Sequence, residues 1–461
     1  MNANLAPIFD PPVQRLIDVF RASGEQLYLV GGAVRDRLLG VTIDEVDFAT
    51  SAYPERTLAL LAGLNDGAAY RIGEKFGTIA WVYGGRTVEI TTYRAKEVYV
   101  PGSRKPQVRF GSTLIEDLSR RDFTINAIAQ EPVTGEFTDP FGGIDDLRRR
   151  LLRAVGRPED RFVEDPLRLL RAVRFSSRLC LSIEPATSDA IVRAAHTLRR
   201  ISRERIRDEY NKMLLDSHVV RALELLRDCG LLAHSVPELL DLTRMPDHGP
   251  RHPLSLWDHV MQVVSGVPPT VVLRWAALLH DIAKPITRTT EPLTGRPRFF
   301  HHEEIGAKIA RKLLSELRFS NQTVEEIALL VETHMQLHAY SETWSDGAVR
   351  RLLLRLGPCL DDALLLARAD AAGHTISGES RNSPRYDQLS ERILELEQTP
   401  VATLTSPLTG DDLMERYNRS PGPWIRQVKD ALLEEVLEGR LQSEDRERAW
   451  AIADGLIKGM Q

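Results

Sequence analysis

Residues 27–40 (LYLVGGAVRDRLLG) and 45–50 (EVDFAT) decide the fold of the first part of this 461-residue chain. The first segment predicts an apolar strand, a tight turn at Gly31-Gly32 and a short helix, and the second predicts another strand. Two further apolar segments have the character of strands: TIAWVYG (78–84) and TVEITTY (87–93). Residues 25–140 are therefore predicted to form a mixed α/β region.

From about Leu147 onward, apolar residues recur at intervals of three and four, which predicts helices almost throughout. The predicted helices that follow the α/β region directly are Arg161–Leu179, Ser188–Leu198, Arg203–Leu215 and Val219–Cys229. We divide the chain accordingly into an α/β head (1–148), a helical neck (149–244), a histidine-rich helical domain (245–376) and a helical tail (377–461).

The composition is that of a globular protein, with 43% hydrophobic and 27% charged residues. Its apolar stretches are too short to cross a bilayer, and the N-terminus lacks the basic and apolar pattern of a secretion signal. Cys180, Cys229 and Cys359 lie too far apart for a disulfide framework or a zinc-binding cysteine pattern. We therefore expect a cytoplasmic protein without a membrane partner.

Charge is distributed unevenly along the chain. The net charge is −5, but residues 148–212 contain 17 Lys and Arg against 9 Asp and Glu. A basic segment in an acidic protein is typical of a surface that binds nucleic acid, and it is equally typical of a solvated helical surface. The charge alone leaves both interpretations open.

Acidic residues lie on the second predicted strand. On a strand, Glu45 and Asp47 project from one face and Asp44 from the other. Two carboxylates on one face can hold a pair of Mg²⁺ ions, which activate an attacking hydroxyl and neutralise a leaving pyrophosphate. Glu89, on a neighbouring predicted strand, either completes such a site or is an exposed strand residue.

Five ordered segments resemble the class II tRNA nucleotidyltransferases and their bacterial poly(A) polymerase relatives, which belong to the polymerase β superfamily. The segments are VGGAVRDRLLG…EVDFAT (30–50), YRIGEKFGTI (70–79), RRDFTINAIA (120–129), DPFGGIDDL (139–147) and VEDPLRLLRAVRF (163–175). The resemblance runs from the glycine turn to about Gly230. It implies an α+β fold, in which a polymerase β-like head of mixed sheet and helices is followed by the all-helical neck, histidine-rich domain and tail.

The resemblance also assigns roles in nucleotide binding. In the head and its glycine turn these roles fall on Gly31, Gly32, Arg35, Asp36 and Arg121. The RRDFTINA segment is assigned to ribose and triphosphate recognition, and a helix over it would place Asp122 and Asn126 on one face. Asp and Asn are suited to hydrogen bonding a ribose 2′-hydroxyl.

The segment VEDPLRLLR contains a candidate pair for choosing the base. A continuous helix would place Asp165 and Arg168 three residues apart on one face, where a plain salt bridge is the ordinary interpretation. A carboxylate can also accept from the exocyclic amine of cytosine or adenine, while a guanidinium donates to a ring nitrogen or carbonyl. The resemblance implies that this pair, assisted by Glu164, selects C and A without a nucleic-acid template.

Two features depart from the family pattern. Glu45 stands where the family usually has the first aspartate of an Asp-x-Asp metal pair, so we predict Glu45 and Asp47 as metal ligands, with Asp44 as a substitute. The segment Arg94–Phe110 resembles the flexible loop of CCA-adding and A-adding enzymes, but Val100 replaces its usual acidic residue. This replacement weakens the expectation that the switch from C to A addition is intact.

The histidines indicate a second chemistry, because ten of the twelve lie between His234 and His374. The segments around them (SLWDHVMQVV, LLHDIAKP, FFHHEEIGA, VETHMQLH and ARADAAG) resemble the HD-domain metal phosphohydrolases in order and helical context. The resemblance implies one divalent metal ion bound by His259, His280, Asp281 and Asp370, and a second bound by His302 and His334 with Asp281. The metal is not identified, and the reaction would be hydrolysis of a phosphomonoester or a cyclic phosphodiester.

Taken together, these features predict template-independent addition of C and A, from CTP and ATP, to the 3′ end of tRNA. Glu45, Asp47 and Glu89 are the predicted catalytic acids, Mg²⁺ is the predicted cofactor, and pyrophosphate is released. The alternatives are a partial enzyme that adds only CC or only A, a poly(A) polymerase, and an HD phosphohydrolase whose head only binds RNA.

Overall fold

The computed structural model describes residues 9–41, 46–72, 77–94, 110–111, 113–245, 254–373, 383–396 and 405–459. The chain divides into two compact units, Met1–Pro237 (the first unit) and Glu238–Gln461 (the second unit). Within the described part of the chain, no helix has the length and apolar character needed to span a membrane.

The first unit is built on a mixed seven-stranded sheet. The strands are β1 (Leu27–Val30), β2 (Val46–Thr50), β3 (Ala68–Ile72), β4 (Thr78–Tyr83), β5 (Arg86–Thr92), β6 (Ala129–Gln130) and β7 (Phe137–Thr138). Their order in the sheet is β3-β4-β5-β2-β1-β6-β7, with β2 and β5 parallel and the other neighbours antiparallel. The four strands predicted from the sequence are confirmed as β1, β2, β4 and β5.

The apolar side chains of the central strands hold the candidate site residues in place. Leu29 on β1 and Phe48 on β2 are at most 1% exposed, and burial of such a side chain contributes about 1.5–3 kcal/mol. Because successive strand residues point to opposite faces, Asp47 projects from the face opposite Phe48. The acid therefore lies on a rigid strand in the middle of the sheet.

Helices surround this sheet and then continue the chain. They are α1 (Pro11–Ala22), α2 (Gly32–Leu38), α3 (Pro54–Leu61), α4 (Leu114–Ser119), α5 (Gly143–Arg148), α6 (Pro158–Glu164), α7 (Leu167–Arg178), α8 (Pro185–Ala194), α9 (Arg203–Leu214), α10 (Val219–Asp228) and α11 (Leu232–Ser235). A short parallel pair, β8 (Leu151–Leu152) and β9 (Ser182–Ile183), lies among them. The helices predicted from Arg203 and from Val219 are confirmed as α9 and α10.

The prediction of one continuous helix over Arg161–Leu179 is wrong. Asp165 separates α6 from α7 in an extended conformation, with φ −146° and ψ 101°. Pro166 causes the break, because its ring clashes with a helical conformation of the preceding residue. Asp165 and Arg168 therefore do not share a helical face, and the Asp165 carboxylate accepts a hydrogen bond from the backbone of Leu167 (3.1 Å).

The helix predicted over RRDFTINA is also wrong. Phe123 is extended and forms an antiparallel bridge with Ala154, and only Thr124–Asn126 form a 3-10 turn. Pairing with a segment far along the chain overrides the local helical pattern. The two side chains that the helix was expected to bring together are nevertheless in contact, since Asn126 donates to Asp122 (3.0 Å).

Over its described residues, the second unit is helical apart from one hairpin, β10 (Arg288–Thr290) and β11 (Pro297–Phe299). Its helices are α12 (Leu240–Arg244), α13 (Leu256–Gly266), α14 (Val271–Leu279), α15 (Lys284–Thr287), α16 (His302–Glu316), α17 (Asn321–His338), α18 (Asp346–Leu356), α19 (Leu360–Gly373), α20 (Ser383–Leu396), α21 (Gly410–Tyr417), α22 (Pro423–Leu437) and α23 (Arg446–Gly459). α13, α14, α17 and α19 pack against one another. The last three helices close around an apolar cluster of their own that includes Trp424 and Leu432.

Candidate nucleotide-binding and metal-binding sites

A cavity of about 940 Å³ opens in the first unit and is lined by residues of β2, the Gly31-Gly32 turn, α7 and α9. Nine of its lining residues are Lys or Arg and five are Asp, so the cavity is positively charged. The predicted site residues that line it are Gly31, Gly32, Arg35, Asp36, Asp47, Arg121, Asp122, Asn126, Asp165 and Arg168.

The glycine turn forms one wall of the cavity. Gly31 has φ 70° and immediately precedes α2, in the left-handed region that glycine adopts without strain. A Cβ at Gly31 would lie 3.0 Å from Nη1 of Arg121. The absence of a side chain therefore lets a guanidinium approach the turn closely.

The predicted catalytic acids are only partly described. Asp47 is half-buried on β2 and lines the cavity. Glu89 on β5 is the register partner of Asp47 in the parallel pair, so both side chains project from the same face, but Glu89 is exposed and does not line the cavity. Glu45 and its substitute Asp44 lie outside the described residues.

Asp122 is the centre of a buried polar network. Its carboxylate accepts from Arg171 (2.7 Å) and from Asn126, whose own oxygen accepts from Arg35 (2.7 Å). Burial raises the pKa of Asp122, but the charge of Arg171 and the hydrogen bond from Asn126 outweigh it and lower the pKa to about 2. Arg35 is in turn held by Asp36 (2.7 Å). The network holds these predicted ribose and phosphate residues rigidly.

The two predicted base-selecting residues are held by different partners, and Glu164 contacts Arg168 as expected. Arg168 donates to Glu164 (2.8 Å) and to the backbone oxygen of Arg120 (2.8 Å). Asp165 is bound by Arg205 of α9, 40 residues away, through the two terminal guanidinium nitrogens, Nη2 (2.7 Å) and Nη1 (3.3 Å). Glu164 therefore orients Arg168 from outside the cavity lining.

Sequence reasoning missed several basic residues of the cavity. Arg171, Arg174 and Arg178 on α7 line it with Phe175, whose ring lies 5.1 Å from the Arg35 guanidinium carbon. Arg168, Arg171, Arg174 and Arg178 are three or four residues apart, a spacing that puts them near one face of a helix. That spacing was the signal in the sequence that would have found them.

The six predicted HD ligands come together in the second unit. They form two groups, His259 with His280 and Asp370, and Asp281 with His302 and His334. Within each group the candidate ligand atoms lie within 4.8 Å of one another, and all six residues are at most 4% exposed. Asp281 contacts both groups, since its Oδ2 lies 3.2 Å from His280 Nε2 and its Oδ1 lies 3.4 Å from His302 Nε2.

The imidazole rings are oriented as metal ligands are. The Nδ1 atoms of His259, His280, His302 and His334 each lie 2.7–3.1 Å from a backbone carbonyl oxygen, to which Nδ1–H can donate. This arrangement leaves the Nε2 lone pairs for a metal ion. The Nε2 atoms meet in pairs 3.2 Å apart, His259 with His280 and His302 with His334. A cation between such nitrogens removes the repulsion of their lone pairs, so the donor set fits a divalent metal.

The electrostatics of this centre also favour a cation. Burial lowers the pKa of His259, but Asp281 and Asp370 outweigh it and raise the pKa to about 9. Burial and the neighbouring His280 lower the pKa of His334 to about 3. Burial raises the pKa of Asp281, but His280 and Lys284 hold it well below its ordinary value. The two carboxylates therefore favour a positive charge among the ligands, which a bound metal ion would supply.

Sequence reasoning missed two residues beside this centre. His338 Nε2 lies 2.7 Å from Asp370 Oδ2, and the Tyr386 hydroxyl lies 2.7 Å from His338 Nδ1. Tyr386 is fully buried on α20. His338 follows His334 by four residues on α17, so its position on the same face was detectable from the sequence, whereas the contact of Tyr386 was not.

The fold and the two sites define the protein as a nucleotidyltransferase head joined to a helical neck and an HD domain. Residues 27–153 match the family model described as "Poly A polymerase head domain". Residues 180–242 match "Probable RNA and SrmB- binding site of polymerase A", and residues 251–372 match "HD domain".

Comparison with individual proteins identifies the family. The chain is 33% identical over 450 residues to a CCA-adding enzyme of Geobacillus stearothermophilus, covering 96% of each chain. It is 35% identical over 437 residues to an A-adding tRNA nucleotidyltransferase of Deinococcus radiodurans, covering 92% of this chain and 94% of the relative. The crystal structure of the Bacillus stearothermophilus CCA-adding enzyme in complex with CTP matches 98% of this chain and 100% of that chain, with a TM-score of 0.70 and 30% identity. The chain therefore belongs to the tRNA nucleotidyltransferase family that contains the CCA-adding enzymes.

Proposed function

We propose that the protein adds C and A nucleotides from CTP and ATP to the 3′ end of tRNA. A bond forms between the RNA 3′-oxygen and the α-phosphate, the bond to the β-phosphate breaks, and the hydroxyl proton passes to solvent as pyrophosphate leaves. The observation that carries this proposal is one cavity that combines Asp47, a cluster of arginines and the pair Asp165 and Arg168.

Mg²⁺ is the proposed cofactor of this cavity. Asp47 would hold it, with Glu89 beside it on the same face of the sheet and Glu45 as a further ligand from the undescribed segment. Carboxylate oxygens are the ligands that Mg²⁺ prefers. When bound, the metal supplies activation of the attacking hydroxyl and neutralises the charge on the leaving pyrophosphate.

The arginines and the buried network bind the rest of the nucleotide. Arg121 at the glycine turn and Arg171 and Arg174 on α7 line the cavity, and although each is paired with a carboxylate, a guanidinium has five N–H donors and can also donate to a triphosphate. Asn126 can donate its second amide hydrogen to the ribose 2′-hydroxyl, which distinguishes ribonucleotides from deoxyribonucleotides. Asp122 orients Asn126 with a carboxylate that already accepts from Phe123, Asn126 and both Nε and Nη2 of Arg171. Asp122 and Asn126 are both buried at the cavity wall and held in one orientation.

Base choice follows from hydrogen-bond polarity. Cytosine and adenine present an exocyclic amine, whereas uracil and guanine present a carbonyl oxygen at the corresponding position. The Asp165 carboxylate can accept from the amine and repels the carbonyl, and the Arg168 guanidinium, held by Glu164, donates to a ring nitrogen or carbonyl. The two side chains would select C and A without a nucleic-acid template.

The partner is the 3′ end of tRNA, bound through its backbone. Residues 148–212 carry 17 Lys and Arg against 9 Asp and Glu, and α7 and α9 bring part of this charge to the cavity. Lys and Arg bind phosphates without regard to sequence, so affinity for tRNA is expected to fall as salt rises. Proteins usually recognise paired RNA by its shape and backbone, without reading its sequence.

Three tRNA transcripts test this proposal: one that ends before CCA, one that ends after C and one that ends after CC. Each is incubated with CTP and ATP, and the product ends are sequenced. Completion of CCA on all three is the expected result. Addition of A to the third transcript only, or arrest after CC, would indicate a partial enzyme, and long A tails would indicate a poly(A) polymerase.

We propose a second activity for the HD centre: metal-dependent hydrolysis of a phosphomonoester or a cyclic phosphodiester. The favouring observation is the set of six buried ligands with Nε2 atoms turned inward. Metal-loaded protein is assayed on both phosphate classes, with Asp281→Asn as the inactive control, and metal content is measured in parallel. Stoichiometric metal without turnover of either class would reduce the centre to a structural site.

A further inference from the structure

The Asp165 carboxylate has a partner that its proposed role does not include. Arg205 Nη2 lies 2.7 Å from Oδ2 and Nη1 lies 3.3 Å from Oδ1, so both oxygens are bound by one guanidinium. Oδ1 also accepts from the Leu167 N–H (3.1 Å). Both Asp165 and Arg205 line the cavity.

Such a pair restricts the carboxylate more than a single hydrogen bond does. The terminal torsion of an aspartate is broad when nothing holds it. A planar guanidinium that binds both oxygens sets the plane of the carboxylate as well as its position. Arg205 is half-exposed, on α9, and reaches Asp165 across the break that Pro166 makes between α6 and α7.

The bound carboxylate keeps acceptor capacity for a base. A carboxylate has about four lone-pair sites, and the contacts above occupy three of them. Two of the three contacts are on Oδ1 and one, from Arg205, is on Oδ2, so the remaining site is on Oδ2. An amine donor can therefore join without displacing Arg205.

We propose that Arg205 is a positioning residue for base selection: it holds Asp165 so that a carboxylate oxygen faces the exocyclic amine of C or A. This inference rests on the proposed role of Asp165 as selector. If the carboxylate turns freely, it can move away from the carbonyl of uracil or guanine, and the repulsion that excludes these bases is weakened. Loss of Arg205 is thus expected to relax selection rather than only to slow addition.

The test compares kcat/KM for CTP with that for UTP on a transcript ending before CCA, and ATP with GTP on one ending in CC. In Arg205→Gln the two ratios are expected to fall at least about tenfold, because the discriminating contact is no longer held. Arg205→Lys keeps the charge but not the two-point contact, so its two ratios should lie between those of Arg205→Gln and those of the unaltered protein. Arg15→Gln is the matched control, since Arg15 forms an equally exposed pair with Asp66 (2.6 Å) away from the cavity lining, and its ratios should not change.

Two further variants separate this inference from the selector role itself. If Asp165→Asn leaves the ratios unchanged, the proposed role of Asp165 fails. If Asp165→Asn lowers the ratios and Arg205→Gln does not, only the inference about Arg205 is overturned. An equal fall in kcat/KM for all four nucleotides with weaker tRNA binding would instead make Arg205 an RNA phosphate contact. The double variant should match Asp165→Asn in both ratios, because Arg205 acts through Asp165 alone.

Discussion

The nucleotide cavity and the HD centre treat their acidic side chains in opposite ways. In the cavity, Asp122 is bound by Arg171 and Asp165 by Arg205, so guanidinium groups already neutralise these two acids. In the HD centre, Asp281 and Asp370 face imidazole nitrogens, and Lys284 is the permanent cation that contacts Asp281 (2.6 Å). Surplus positive charge suits the cavity to a triphosphate, and converging lone pairs suit the centre to a metal ion.

The two regions also differ in access. The cavity holds half-exposed side chains such as Arg205, whereas the ligands of the HD centre are at most 4% exposed. A large and variable ligand, a nucleotide with an RNA end, requires the first arrangement. A small ion that is bound by desolvated ligands requires the second. Each difference predicts what a single substitution should do in one site and not in the other.

Asp47→Asn should have the largest effect. The rate of nucleotide addition is expected to fall at least about 10³-fold, because metal stabilisation of charge in phosphoryl transfer contributes several kcal/mol. Single-turnover addition to a transcript ending in CC measures this rate, and metal content of the HD centre should be unaltered. Asp66→Asn, which removes the exposed partner of Arg15, is the control. An undiminished rate in Asp47→Asn would remove Asp47 from the metal site.

Asp281→Asn should act on the other site alone. The variant is expected to raise the Kd for Mn²⁺ or Ni²⁺ at least about 100-fold, since Asp281 contacts both ligand groups and supplies negative charge to both. Metal content after dialysis and isothermal titration measure the loss. Nucleotide addition should persist, and a parallel loss of addition would show that the two sites are not independent.

Acid should weaken the fold of the first unit through Asp122. Its folded pKa of about 2 lies below the ordinary value, so its ionisation stabilises the fold above pH 4 and this stabilisation is lost as pH falls through 2. The total is about 2 kcal/mol, of which about 1 kcal/mol is lost between pH 6 and pH 3. Urea unfolding of the unaltered protein and of Asp122→Asn should therefore converge by that amount over this range. Parallel stability curves would mean that Arg171 does not lower the pKa.

Tyr386→Phe should have the smallest effect. It removes the hydroxyl that contacts His338, which in turn contacts Asp370, so the metal Kd is expected to rise about threefold to tenfold. Titration with Mn²⁺ measures this change. Tyr417→Phe is the matched control, because it removes a similar hydroxyl contact with Asp454 (2.6 Å) in the tail helices. Equal affinities in the two variants would show that the Tyr386 contact does not orient Asp370.

The strands were predictable from local patterns, since β1, β2, β4 and β5 follow from apolar runs. The six candidate HD ligands were implied by the resemblance of their segments to the HD phosphohydrolases, and the fold brings these residues together. The order of the motifs, rather than any single residue, indicated the family. The strands were visible in the local sequence because each strand buries its own apolar side chains.

Some of the errors and omissions had a local signal: Pro166 disfavours a helical conformation of the residue before it, and the α7 arginines and His338 follow a helical spacing. The others arise from contacts between distant segments, such as the pairing of Phe123 with Ala154 in place of a helical turn. The contact of Arg205 with Asp165 joins residues 40 apart, and that of Tyr386 with His338 joins residues 48 apart. Charge and spacing along one segment do not encode such pairs, so only the folded chain reveals them.

Selection by protein side chains alone is the central claim, and one competition measures it most directly. A tRNA transcript ending before CCA is incubated with equal concentrations of all four ribonucleoside triphosphates, and the 3′ ends are sequenced. The account predicts CCA as the product, with U and G almost absent in the unaltered protein and frequent in Asp165→Asn. Frequent U or G in the unaltered protein, or a run of A in place of CCA, would contradict it.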